Sequence, residues 1–280
     1  MSRQWKRGSD PEFPHLTERE RFSFPDPEVT EDGVVGVGGN LSPGMLLSAY
    51  EQGVFPWYGP ADPIVWHSPD PRFVLFPSNL HISQSMRKIF KKNYFELSLD
   101  RDFNAVIQNC ALVDRPGQNG TWITKEMIES YTELHRLGWA HSAEAYRDGE
   151  LVGGCYGIRL GNAFFGESMF AHVPNASKAA FLALAQLLFS DDVRFIDCQV
   201  PTEHLRSLGA QEISRQEFLA RLYSALAIRN SSIRMESIIA GPNANTHAAS
   251  DDADRRGNWG HRYVRFPETE SHELISLSSS

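Results

Sequence analysis

Residues 140–168 read AHSAEAYRDGELVGGCYGIRLGNAFFGES, and this stretch decides the fold. Its extended runs are 140–147, 151–160 and 163–168. Asp148-Gly149 and Gly161-Asn162 separate these runs, and both dipeptides favour the short turns that join antiparallel strands. The stretch therefore predicts a three-stranded antiparallel meander.

Helical patterns lie on both sides of the meander. The predicted helices carry Phe103 to Cys110 and Met127 to Leu134 before it, and follow it at about 175–189 and again after Ser214 and Glu217, with a strand at 193–200 between those two. Further upstream, Ser42-Pro43 opens a short helix that ends at Gly53. This order predicts an α/β (α+β) fold with a mixed, largely antiparallel sheet rather than strict βαβ alternation. It resembles the acetyltransferase-like (GNAT) fold, in which splayed strands open a cleft, here near 164–170 and 197–199.

Composition excludes several classes of protein. The chain has 280 residues, with 27 Lys+Arg against 35 Asp+Glu, so a protein that mainly coats nucleic acid is not favoured. Only Cys110, Cys155 and Cys198 occur, which offers no disulfide framework and favours a reducing compartment. No apolar run approaches the roughly 18 residues of a membrane span. We expect a cytoplasmic protein that is monomeric and has no membrane partner.

The two ends differ from the middle of the chain. Residues 1–13 mix charge, Gly and Pro without periodicity and are tag-like. Residues 231–280 are polar, rich in turn-forming residues and poor in aliphatic ones, which predicts a disordered tail.

A carboxylate and an amide interrupt the apolar strand at 193–200. Asp197 and Gln199 are two residues apart and so share one face of the strand, while Cys198 points the opposite way as small core filler. A buried carboxylate needs a partner or a chemical task, so Asp197 is either a structural residue bonded to backbone amides or part of a site.

Other candidates also have two interpretations. Glu167 ends an aromatic strand and is either a salt-bridged strand end or a site residue. Trp57, Trp122 and Tyr131 are either core residues or a stacking platform for a base. A cluster of basic residues on one short helix is either a solvated face or a phosphate-binding patch. Its members are Arg87, Lys88, Lys91 and Lys92.

Standard catalytic signatures are absent from the sequence. The glycines at 33–39 lack the spacing and the βαβ context of a dinucleotide loop. Walker A, H-E-x-x-H and G-x-S-x-G sequences do not occur, which disfavours metal and serine hydrolysis. We predict no metal site.

Seven short segments, several rich in Trp and Pro, follow one another between about residues 24 and 228. They are Gly53-Val54-Phe55-Pro56-Trp57, Trp66-His67-Ser68-Pro69-Asp70-Pro71-Arg72, Leu80-His81-Ile82-Ser83, Gly120-Thr121-Trp122-Ile123-Thr124, Gly166-Glu167-Ser168-Met169-Phe170, Asn175-Ala176-Ser177-Lys178 and Ile196-Asp197-Cys198-Gln199. Together they resemble the leucyl/phenylalanyl-tRNA–protein transferase family, far more specifically than any single pattern above.

This resemblance implies an aminoacyltransferase that takes its substrate from aminoacyl-tRNA. Leu or Phe, and less well Met, would move to the α-amino group of proteins beginning with Arg or Lys, marking them for degradation by the N-end rule. No cofactor is implied. The implied fold is a small N-terminal domain at 14–80 joined to an acetyltransferase-like domain at 81–230.

The resemblance also implies roles for the residues singled out above. Gln199 would contact the attacking amine, and Asp197 would orient that amine and help accommodate its proton, with positioning favoured over proton abstraction. Trp57, Trp122 and Tyr131 would contact the 3′-terminal adenosine, and the basic helix would hold the acceptor stem by charge.

An apolar pocket for the aminoacyl side chain is implied beside Glu167. Its predicted lining is Phe165, Met169, Phe181 and Ile196, with Cys155 at the rim. A β-branched side chain should fit poorly. Two positions depart from some members of the family, since Thr202 stands where Asn occurs and Cys155 where a bulkier Met occurs.

Two alternatives have different consequences. An acetyl-CoA-dependent N-acetyltransferase would need a Gly-rich pyrophosphate loop, which residues 172–180 lack. A non-catalytic module that binds basic N-termini or tRNA ends would not need both Asp197 and Gln199. Affinity without turnover would support that second alternative.

Overall fold

The computed structural model describes residues 7–30, 32–113, 121–227 and 262–263. The helices are α1 (Pro43–Glu51), α2 (Gln84–Lys91), α3 (Phe103–Leu112), α4 (Lys125–Arg136), α5 (Ala176–Ser190), α6 (Glu203–Arg206) and α7 (Arg215–Ala227). The strands are β1 (Val34–Val37), β2 (Phe55–Pro56), β3 (Val65–His67), β4 (Arg72–Leu75), β5 (Glu96–Leu99), β6 (Ala140–Arg147), β7 (Glu150–Leu160), β8 (Ala163–Ala171), β9 (Phe195–Gln199), β10 (Gln211–Ile213) and β11 (Arg262–Tyr263).

One mixed sheet organises the fold. Its strand order is β10-β4-β9-β8-β7-β6-β5-β11, and every neighbouring pair is antiparallel except β8 and β9, which are parallel. The predicted meander is confirmed as β6, β7 and β8. The α/β fold class is therefore confirmed, and the acetyltransferase-like assignment stays a prediction.

Local signals explain the ends of these elements. Asp148 and Gly149 have φ values of 54° and 83°, the left-handed conformation that a tight hairpin turn requires. Thr124 Oγ1 caps α4 by accepting from Met127 N at 3.2 Å, and Ser214 Oγ caps α7 by accepting from Glu217 N at 3.1 Å. Short-range chemistry thus fixes the turns and caps that the sequence predicts.

Helices cover both faces of the sheet. On one face, called the α1 face, helices α1, α3, α4 and α7 form an apolar cluster with the sheet. On the other, called the α5 face, α5 and α2 form a second cluster. Helix α5 is buried along nearly its whole length, as expected for a helix packed across the sheet.

The N-terminal part of the chain adds a small sheet in the order β1-β3-β2. The aromatic residues predicted on stiff loops partly belong to these strands: Trp66 lies in β3, buried, and its Nε1 donates to Gly38 O at 2.9 Å. Trp57 remains on the connecting loop. Strand β4 belongs to the large sheet, although it precedes residue 80. The domain boundary after residue 80 stays a prediction.

The chain ends are described only in part. Gly8 N donates to Asp62 O at 3.1 Å and Asp10 N to Gly39 O at 2.7 Å, so the described part of the tag-like segment contacts the body of the protein. The predicted disordered tail, apart from the backbone of 262–263, lies outside the described residues. Among the helices described, none has the length and apolar character to cross a membrane.

Candidate active site

The site lies where β8 and β9 stop pairing. Their parallel register ends at Phe165 opposite Asp197, although β8 continues to Ala171 and β9 to Gln199. Beyond that point a side-chain hydrogen bond joins the strands, because Gln199 Nε2 donates to Glu167 Oε1 at 2.8 Å. The structure thus brings together two of the predicted site residues.

Glu167 is aimed by a β-bulge. In the pairing of β7 with β8, Gly157 is opposite Gly166 and Tyr156 is opposite Ser168, so Glu167 is the extra residue. A bulge redirects one side chain at a sheet site without ending the strand. A Cβ on Gly157 would lie 2.2 Å from Phe165 O, so only glycine fits opposite the bulge.

The Glu167 carboxyl group is enclosed by two tyrosines. Tyr50, from α1, lies 2.8 Å from Oε1, and Tyr131, from α4, lies 3.0 Å from Oε2. The two tyrosine hydroxyl groups also hydrogen-bond to each other. Both rings are fully buried, and Glu167 is 8% exposed. The three oxygen-bearing side chains therefore form a closed ring of contacts.

The number of hydroxyl hydrogens in this ring of contacts determines which protonation state of Glu167 fits it. Tyr50 and Tyr131 bring one hydroxyl hydrogen each, whereas the ring contains three oxygen–oxygen contacts. All three contacts are hydrogen bonds when Glu167 carries the third hydrogen. Burial raises the pKa of Glu167 to about 7, opposed by hydrogen bonds from Tyr50, Tyr131 and Gln199. Burial also raises the pKa of both tyrosines well above 10, so they remain protonated.

Asp197 makes a different set of contacts from those of Glu167. Arg72 donates from Nε to Oδ1 at 2.9 Å and from Nη2 to Oδ2 at 2.6 Å, and both side chains are fully buried. Asp197 Oδ1 also accepts from Gln199 N at 2.9 Å. Asp197 therefore has an ionic partner and a backbone amide, which are the contacts expected of a structural Asp and also place it directly behind Gln199.

Gln199 has an unusual backbone. Its φ is +64°, in the left-handed region that non-glycine residues adopt rarely. In the pairing of β4 with β9, Phe73 is opposite Gln199 and Val74 is opposite Asp197, so Cys198 is bulged. Cys198 packs on the α5 face as predicted, opposite to Asp197 and Gln199.

The predicted aromatic platform is only partly assembled around this ring. Tyr131 is one member of the ring itself. Trp57 is 39% exposed and makes an edge contact with His67, and Trp122 is partly buried. Their neighbours Tyr58 and Thr124 lie 3.5 Å apart, measured between the two hydroxyl oxygens, so the loop of Trp57 lies against the segment that precedes α4.

Four of the five predicted pocket residues pack on one face of the sheet. Cys155, Met169, Phe181 and Ile196 belong to the α5-face cluster. Phe165 lies on the α1 face, with its ring 5.1 Å from that of Tyr50, because the bulge at Glu167 reverses the side-chain alternation between Phe165 and Met169. Cys155 is 3% exposed and so lies inside the cluster rather than at a rim, and burial raises the pKa of its thiol.

The basic side chains of α2 point to solvent. Arg87, Lys88, Lys91 and Lys92 are all exposed, while Met86 anchors the helix to the α5 face. No ion pair joins these four to a carboxylate within the parts of the chain that the structure describes. Their charge is therefore available to a partner.

Tyr50 and Arg72 were missed by sequence reasoning. Tyr50 lies in an apolar stretch of its helix, and only the tertiary structure places its hydroxyl group on Glu167. A usable signal existed for Arg72, since it directly precedes the apolar run Phe73-Val74-Leu75. An arginine at the start of a buried strand needs an anionic partner.

The comparisons with known proteins agree with one another. A family model described as leucyl/phenylalanyl-tRNA protein transferase matches residues 74–223, and one described as the N-terminal domain of that transferase matches residues 39–70. A leucyl/phenylalanyl-tRNA–protein transferase of Anaeromyxobacter sp. (strain Fw109-5) is 56% identical over 205 residues, 73% of this chain and 87% of the relative. The transferase of Syntrophus aciditrophicus is 55% identical, over 70% of this chain and 82% of the relative. That of Myxococcus xanthus is 53% identical, over 72% of this chain and 87% of the relative.

The family models and these relatives define an aminoacyltransferase. Within that class, the chain belongs to the leucyl/phenylalanyl-tRNA–protein transferase family, as its seven sequence motifs predicted.

Proposed function

We propose that this protein transfers Leu or Phe, and less well Met, from aminoacyl-tRNA to the α-amino group of proteins that begin with Arg or Lys. The transferred residue marks the acceptor for N-end rule degradation. The observation that carries the proposal is the Gln199 carboxamide, held against Glu167 at the open ends of β8 and β9.

The chemistry needs little beyond what these residues supply. An aminoacyl ester is already activated, so the reaction mainly requires a neutral amine in the correct position and stabilisation of the developing oxyanion. The amine nitrogen forms an amide bond to the aminoacyl carbonyl carbon while the ester bond to the tRNA ribose breaks, and the proton lost by the amine goes to the ribose oxygen, which leaves as a hydroxyl group. Gln199 positions the amine, and Asp197 supports Gln199 rather than taking the proton, since Arg72 occupies both of its oxygens. Trp57 and Trp122 receive the 3′-terminal adenosine by stacking, and the buried Tyr131 supports this site through its hydrogen bond to Glu167.

The acceptor stem is recognised by charge, and the aminoacyl side chain is recognised by the shape of an apolar pocket. The exposed cations of α2 hold the acceptor stem through its phosphates without reading sequence. An aminoacyl side chain unbranched at Cβ would pass between β8 and β9 beyond the end of their pairing and reach the α5-face residues Cys155, Met169, Phe181 and Ile196. No cofactor takes part in this scheme.

The test is transfer of radiolabelled leucine from charged tRNA to short peptides that differ only at their first residue. We expect transfer to peptides beginning with Arg or Lys, and none to peptides beginning with Ala or with Nα-acetylated Arg. Gln199→Ala should lower transfer at least 100-fold, whereas exposed Gln216→Ala is the matched control and should retain it.

Two outcomes would overturn the proposal. Equal transfer to the Ala peptide would remove the specificity for basic N-termini. Binding of charged tRNA and of the Arg peptide without any transfer would favour the non-catalytic binding module. The consequence for degradation is checked separately, since a reporter beginning with Arg should persist in cells that lack the protein.

A further inference from the structure

We propose that Arg72 is a positioning residue for the transfer reaction, acting through Asp197 on the backbone of Gln199. The proposal rests on the proposed function and deepens it. Arg72 does not touch the Glu167 carboxyl group or the Gln199 carboxamide in the contacts described above, and its described link to Gln199 runs through Asp197.

The guanidinium group is held from several sides. Nη1 donates to Gly53 O at 3.1 Å, in addition to the paired bonds from Nε and Nη2 to Asp197. Phe55 and Phe218 place their ring centroids 4.8 and 4.4 Å from the guanidinium carbon. These contacts fix the plane of the guanidinium and therefore the orientation of the Asp197 carboxylate.

Asp197 passes that orientation on to Gln199. The same oxygen, Oδ1, accepts from Arg72 Nε and from Gln199 N, both at 2.9 Å. The second bond accompanies the left-handed conformation of Gln199, which is unfavourable for a non-glycine residue. Without Arg72, Asp197 loses its fixed orientation and Gln199 can return to negative φ, which moves its carboxamide away from Glu167.

Lysine cannot replace this geometry. It supplies one compact ammonium group, which cannot make the paired, planar contact with a carboxylate that a guanidinium makes. Arg72→Lys thus retains the charge and removes the orientation. The chain also offers a matched control in Arg215, which is 8% exposed and donates to Ser68 O and Thr30 O with no contact to Asp197.

The experiment compares Arg72→Lys with Arg215→Lys in the full chain. For Arg72→Lys we expect kcat of leucine transfer to the Arg peptide to fall at least 10-fold, with the KM for the peptide and the Kd for charged tRNA changed less than 2-fold. Arg215→Lys should change kcat, KM and Kd by less than 2-fold, even where it lowers the thermal midpoint as much as Arg72→Lys does. Millimolar guanidinium should restore activity to Arg72→Ala and not to Arg215→Ala.

A spectroscopic measurement separates this proposal from the proposed function. In protein labelled with ¹⁵N-glutamine, the backbone amide and side-chain NH₂ signals of Gln199 should shift in Arg72→Lys and stay in place in Arg215→Lys. This result is readable even if the wild-type protein transfers nothing to an Arg peptide, in which case only the proposed function fails. Unshifted Gln199 signals in folded Arg72→Lys, or equal losses of kcat in the two lysine variants, would overturn the role of Arg72.

Discussion

Arg72 and Asp197 form a paired ionic contact in which neither side chain is exposed, with nitrogen–oxygen distances of 2.9 and 2.6 Å. The pair joins the first residue of β4 to the middle of β9, the strand that carries Gln199. Asp197 therefore has a demanding structural task, and the neighbouring Glu167 has no cationic partner in its described contacts. Asp197 is thus held as the ionic partner of Arg72, whereas Glu167 is held by the neutral side chains of Tyr50, Tyr131 and Gln199.

Removing one partner of the buried pair should be costly. Asp197→Ala leaves the Arg72 charge uncompensated, and such losses typically lower the free energy of unfolding by about 3–5 kcal/mol. We expect transfer to fall with tRNA affinity nearly unchanged. Urea unfolding, with filter binding of charged tRNA, checks both effects. A parallel loss of binding and turnover in folded protein would show that Asp197 is only structural.

Glu167 should make stability depend on pH. Its folded-state pKa is raised to about 7, so the folded protein binds more protons than the unfolded chain between the ordinary pKa of a glutamic acid and that value. The stability that Glu167 contributes is therefore fully present at low pH and is lost as pH rises through about 7. Glu167→Gln removes this dependence.

The measurement is urea unfolding of the wild type and Glu167→Gln at pH 5.5 and pH 8.5. Stability of the wild type relative to the variant should decline with pH by an amount on the order of a few kcal/mol. Exposed Glu150→Gln serves as the control and should track the wild type at both values. A constant difference between wild type and Glu167→Gln would contradict the raised pKa.

The tyrosines should tune that same titration. Tyr50→Phe keeps the ring and deletes one donor to Glu167 Oε1, and hydrogen bonds from Tyr50 lower the pKa of Glu167. Loss of this donor should raise the pH midpoint of the stability change and lower the free energy of unfolding by about 1–2 kcal/mol. Tyr58→Phe, whose hydroxyl group contacts Thr124 instead, should leave the midpoint in place.

Local signals made much of the fold predictable. Asp148-Gly149 marked a hairpin, and alternation along residues 193–200 placed Asp197 and Gln199 together on one face. Strand β4 was missed because it follows a Pro-rich segment and is only four residues long. Short strands are defined by pairing with distant partners, which a local pattern does not contain.

The site was less predictable than the fold. Glu167 and Gln199 stood out because polar residues in apolar strands require partners. Their contacts depend on two bulges and on side chains from α1 and β4, and those arise only when distant parts of the chain meet. Phe165 and Met169 lie on opposite faces for the same reason, since the bulge at Glu167 reverses the alternation that would otherwise place them together.

The side chain at Cys155 should influence which aminoacyl group is accepted. Cys155 packs with Phe181 and Ile196, and Cys155→Met adds volume to that cluster. We expect the ratio of Phe to Leu transfer to fall at least about 10-fold, since Met has two more carbon atoms than Cys and even one methylene in an apolar pocket is worth about 1–3 kcal/mol. Cys110→Met, buried on the α1 face, is the control and should leave the ratio unchanged, as measured by competition between the two charged tRNAs.

Exposed cations on α2 should govern the salt dependence of tRNA binding. The triple variant Lys88→Gln, Lys91→Gln and Lys92→Gln removes three charges that have no described ionic partner, so fewer counterions are released when phosphates bind. The slope of log Kd against log salt should become shallower by about 2–3, and affinity should fall most at low salt. The charge-matched control changes Arg19, Arg194 and Arg221 to Gln, removing three basic residues outside α2. If the control flattens the slope and the α2 variant does not, the acceptor stem lies on another surface.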